Sequence, residues 1–178
     1  MKTKHITLAT IVGLFVLASA SAFAGVPLVS PDVMLGMAAL GLILAYVVAS
    51  WAGIVREDGL RTGDLADAMA AYWILNWIMA NQGDNNRTQA LAVRDQVRGV
   101  IGGSPAVARL GDAGRQEMAE VLMLNFLVQQ ATYVDAMQRG DQAMMRRLGD
   151  AAVARFRNEM GVDLRRLQLT DAGLVSAS

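Results

Sequence analysis

Between Met34 and Val55 the chain reads MLGMAALGLILAYVVASWAGIV, 22 residues without a charge. As an α-helix that run rises about 33 Å at about 1.5 Å per residue, enough to cross a hydrocarbon core of roughly 30 Å. A helix apolar on every side needs lipid or a protein interior around it, so this stretch limits the fold more than any other. The expectation is one transmembrane helix over 34–55, with membrane as the first partner.

What precedes the run reads as an export signal. Lys2, Lys4 and His5 form a short positive end, Ile6 to Ala18 is mostly apolar, and Ala22-Phe23-Ala24 supplies an A-x-A cut site. That order predicts a signal peptide over 1–24, cleaved after Ala24. Residues 25–33 follow as a short extended linker, since Pro27 and Pro31 disfavour helix at the residues before them. Asp32 is the predicted N-cap of the apolar helix.

Within that helix Gly41, Ala45, Ala49 and Gly53 recur every fourth residue and place small side chains along one stripe. Such a stripe lets two membrane helices approach closely, the basis for an expected homo-oligomer through the membrane helix. Trp51, near the far end, is placed as an aromatic-belt residue. Arg56 and Arg61 follow the span closely while no cation lies between Ala24 and Met34. The positive-inside tendency then puts the helix in the bacterial inner membrane with the following domain on the cytoplasmic side. If 34–55 packs as a core helix instead, the mature chain is periplasmic.

Beyond a charged connector at 56–63, glycines and caps divide the chain into helices. Thr62 or Asp64 caps a helix to about Gln82, uncharged from Ala68 to Asn81. The run from Arg87 to Ile101 is amphipathic, with Ala90, Val93, Val97, Val100 and Ile101 on one face. Ser104-Pro105 starts a short helix to Leu110, and Asp112 caps a long one to about Arg139. Val121 to Val128 is apolar except for Asn125, which predicts a central position and a polar partner for Asn125, with Asn76 the nearest analogue. Asp141 starts a last helix in which Met145, Leu148, Ala152, Phe156 and Met160 form the apolar stripe. The fold class is therefore all-α: a compact bundle of four to five helices over 64–174, closed by a disordered tail at 175–178.

The composition excludes a good deal of chemistry. Formal net charge is zero, which argues against nucleic acid as a partner. There is no cysteine, and the one histidine, His5, belongs to the signal. A mature chain lacking both cannot build the usual zinc sites or a histidine-dependent triad, so no metal, cofactor or catalytic residue is assigned. Neither phosphate-binding glycine motif occurs. Glu117 and Glu120, one turn apart near a helix start with Asp112 close by, are the sole candidates for a carboxylate-only envelope hydrolase. Acids at a helix N-terminus have an electrostatic reason to be there without any catalysis.

Ala71-Tyr72-Trp73-Ile74-Leu75, then Val93-Arg94-Asp95-Gln96-Val97-Arg98, then Met160 to Gly173 with Asp163-Leu164 and Leu169-Thr170-Asp171-Ala172-Gly173, appear in that order. This order resembles an uncharacterised family of exported all-helical proteins, a domain of unknown function from Gram-negative bacteria. The resemblance covers about Gly63 to Leu174. It implies a helical fold and export to the periplasm, and no active site.

The functional expectation is a non-enzymatic, membrane-anchored helical protein engaged in interaction or assembly in the cell envelope, through a protein partner the residues do not identify. A periplasmic binding or inhibitor protein is the alternative. For either, Tyr72, Trp73 and Trp77 are the candidate interaction surface, set against ordinary core packing of large aromatics.

Overall fold

A computed structural model describes residues 31–177. The expected signal peptide, its cut after Ala24 and the linker up to Ser30 lie outside them. The chain divides between Tyr46 and Val47 into two compact units, with α1, Pro31–Val55, running through the division. The helix begins at Pro31, before the expected Asp32 cap, because a proline's missing N–H is free at a helix start.

In the first unit, the described part of α1 presents Leu35, Leu40, Ile43 and Tyr46 to the outside at 72, 58, 59 and 74% exposure. In the second unit, the remaining residues of α1 behave differently. Val47, Trp51 and Val55, four residues apart, are buried in the core, and Trp51 meets Phe126 edge to face with ring centroids 6.5 Å apart. Trp51 is thus a core residue with no exposed surface, not an interfacial belt residue.

The centre of the second unit is α2, Leu65–Asn81. It buries 12 of its 17 residues, all of them apolar or aromatic except Asp67 and Asn76. It packs against α3 (Arg87–Gly102), α5 (Asp112–Gln138) and α6 (Gln142–Met160). Local caps set these boundaries. The Asp64 carboxylate accepts from the Ala66 N–H at 2.8 Å, and Asn86 and Gln89 form a reciprocal capping box at α3. Ser104 and Pro105 open the one-turn α4 (Pro105–Ala108), and Asp141 caps α6. Gly149 lets α6 meet the α2 backbone, since a Cβ there would run into the Met79 carbonyl.

Three expectations need correction. The first concerns α5, which is not central but two-faced, with Ala119, Met123, Phe126, Tyr133 and Ala136 inward and Val121, Leu124 and Val128 outward. Asn125 is exposed as well and donates to the Val121 carbonyl at 2.9 Å, so its amide is satisfied within its own helix and has no need of Asn76. Asn76 is the buried one, and it too bonds back one turn, to the Tyr72 carbonyl at 2.7 Å. Second, Val100 and Met160 fall outside the core at the last turns of α3 and α6.

Third, the chain is mostly helical but not wholly so. After a 3-10 turn at Leu164–Arg166, β1 (Leu167–Thr170) and β2 (Gly173–Ser176) pair antiparallel, with Leu167 opposite Ser176 and Thr170 opposite Gly173. Gly173 takes φ 100°, a conformation open to glycine, and so allows the two-residue reversal. The hairpin is tied down from outside. Gln96 on α3 both donates to the Leu174 carbonyl and accepts its N–H, at 3.1 and 2.8 Å. Leu169 is buried in a second cluster with Ala66, Ala70, Ile74, Ala90, Val93 and Val97. Val175 and Ser176, expected in a disordered tail, are residues of β2.

Candidate functional site

The densest polar chemistry gathers where the connector, the N-terminus of α2 and α3 meet. Asp67, on the first turn of α2, has no exposed surface. Its Oδ2 accepts the Arg61 N–H at 3.2 Å, and Oδ1 has no hydrogen-bond partner. The guanidinium groups of Arg94 and Arg98 approach Oδ1 only to 3.8 Å each, and Arg61 Nε stands 3.7 Å from Oδ2. Burial raises the Asp67 carboxyl above the usual carboxylate range, the like charge of Asp64 adds to this, and the Arg61 N–H, Arg94 and Arg98 oppose it. Asp64 differs. Burial works to raise it too, but the N–H groups of Ala66 and Asp67 and the Arg98 ion pair, at 2.8 Å, hold it below that range.

Nothing in the residue type of Asp67 marks it in the sequence, because the helix dipole alone accounts for an acid in a first helical turn. The signal that could have found it is its neighbours. Ala66, Ala68 and Ala70 flank it with small apolar side chains, and Arg94 and Arg98 stand one turn apart on the next helix.

Beside this cluster lies a groove of about 720 Å³, with an apolar floor that includes Leu65, Ile101 and Met123. Its charged lining is Asp64 and Arg98 from the first cluster and Asp112, Arg115 and Glu120 from α5. Both lining arginines are already in ion pairs, Arg98 with Asp64 and Arg115 with Asp112. Glu120 lines the groove and accepts from Gln116 at 3.0 Å, whereas Glu117 is exposed and not part of the lining. The two carboxylates, one turn apart on α5, thus stand in different surroundings. Among the described residues no group of three or more His, Cys, Asp or Glu could hold a metal ion.

Of the three aromatics proposed as an interaction surface, Tyr72 is buried, and Trp73 and Trp77 are partly exposed while making contacts within the domain. Tyr72 is 6% exposed and stacks on Phe156 at 5.9 Å, and Trp73 meets the same ring edge-on at 5.0 Å. Trp77 is half-buried, and its indole N–H donates to the Leu167 carbonyl at 2.9 Å, anchoring β1. Their positions follow from where α2 sits: a helix enclosed by three others has little outer face on which to display a ring.

The small-residue stripe is divided by exposure. Gly41 and Ala45 are half-buried, Ala49 and Gly53 exposed, and a Cβ on Gly53 would meet nothing within 4 Å. Among the described residues, one helix, with its apolar window at Leu35–Val55, is long and apolar enough to cross a membrane.

These features define a class: a mostly helical domain with a C-terminal hairpin, joined to one apolar N-terminal helix. The chain belongs to a family of unknown function, DUF6683, whose model matches residues 33–177. No curated protein and no solved structure matches it.

Proposed function

We propose that the protein is a non-enzymatic, membrane-anchored helical protein acting in protein–protein interaction or assembly in the cell envelope. The observation that carries this reading is the exposure of Leu35, Leu40, Ile43 and Tyr46 on a helix without a charge after Asp32, since large apolar side chains displayed along consecutive turns call for lipid or a partner. The anchor is shorter than the bare sequence suggests. With Val47, Trp51 and Val55 committed to the core, Pro31 to Tyr46 offers about 24 Å of helix at about 1.5 Å per residue. That falls short of a hydrocarbon thickness of roughly 30 Å, a mismatch that local thinning of the bilayer accommodates at modest cost.

In this reading an export signal precedes Gly25, Arg56 and Arg61 hold the domain on the cytoplasmic side, and of the stripe Gly41, Ala45, Ala49 and Gly53 the first two lie within the anchor, where they offer a surface for pairing with a second copy. A second reading, a periplasmic binding or inhibitor protein, draws support from the burial of Trp51 in the domain core. Two measurements separate them. Alkaline carbonate extraction is expected to leave the full chain in the membrane fraction, and a reporter fused after Ser178 is expected to be active only if it functions in cytoplasm. Release of the chain by carbonate, with a periplasm-active reporter, overturns the anchor and establishes the second reading.

A further inference from the structure

We draw no further inference here: the strongest candidate, the outward apolar stripe of Val121, Leu124 and Val128 on α5, carries nothing because nothing in the structure shows what covers it.

Discussion

Replacing Trp51 by alanine tests whether the end of α1 belongs to the domain. Trp51 has no exposed surface, lies in the same cluster as Leu75, Met79 and Met123, and meets Phe126 edge to face. Truncating a buried tryptophan to alanine costs about 3–5 kcal/mol, through lost transfer energy and the cavity left behind. At a urea m-value of about 2 kcal/mol/M, that is a midpoint lowered by about 1.5–2.5 M. Trp51→Phe sharpens the argument. It keeps an aromatic edge for Phe126 and removes an indole N–H that has no acceptor, so its cost is expected to stay below about 2 kcal/mol. The assay is urea unfolding of the full chain in mild detergent, followed by far-ultraviolet circular dichroism. A belt tryptophan at a lipid interface would contribute little to the fold of the domain. A Trp51→Ala midpoint within about 0.3 M of the parent, equivalent to under about 1 kcal/mol, would refute the placement.

Other parts of the structure yield sharp expectations. Gly149→Ala puts a methyl group against the Met79 carbonyl, which is backbone and cannot swing away; a loss of about 1–3 kcal/mol is expected by thermal unfolding, and an unchanged midpoint would contradict the close crossing of α2 and α6. Gln96→Ala removes both bonds to Leu174, so faster amide hydrogen exchange in β2 and a loss of about 1–3 kcal/mol are expected, with unaltered exchange counting against the docking. For Asp67 the folded pKa lies above the unfolded value, so its stabilising contribution is full below the ordinary pKa of 3.8 and is lost as pH rises through the raised folded value. Asp67→Asn keeps the shape without the ionisation. The parent's stability relative to this variant is therefore expected to fall across that rising window, and parallel pH profiles would show that Asp67 is not shifted. Asp163 runs the other way: its pKa is lowered by bonds from Arg157 and the Arg165 N–H, so its contribution is present above 3.8 and is lost as pH falls through the lower folded value. Asp163→Asn is expected to flatten the acid limb of the stability profile.

Much of the helical layout was legible because caps and stops are local. Asp64, Ser104-Pro105 and Asp141 each begin a helix where cap chemistry places them. Burial was less legible because it depends on neighbours. The VLMLNFLV run reads as apolar on every side, yet α5 leaves Val121, Leu124 and Val128 exposed, and Asn125 resolves its polarity one turn back along its own helix. The hairpin was hidden for a related reason. Four-residue strands hold too few alternations to be distinguished from a loop, and their stability comes from Gln96 and Trp77, far away in sequence. The candidate site was the least legible. Tyr72, Trp73 and Trp77 are conspicuous by type, but their contacts with Phe156 and Leu167 depend on residues far away in sequence, while Asp67 is ordinary by type and is one of two polar or charged side chains buried in the described core.

The central claim divides α1 in two, with lipid around the part up to Tyr46 and protein around Val47, Trp51 and Val55. The chain contains no cysteine, so spin labels can be attached singly at positions 40, 43, 46, 51 and 55 without background. Collision accessibility to oxygen and to a water-soluble nickel complex, measured in reconstituted vesicles, reads the surroundings of each label. High oxygen and low nickel accessibility at 40, 43 and 46, with neither reagent reaching 51 and 55, is the predicted pattern. Nickel accessibility at 40, 43 and 46 equal to that of an exposed label on α6, or oxygen accessibility at 51 and 55 equal to that at 43, would contradict it.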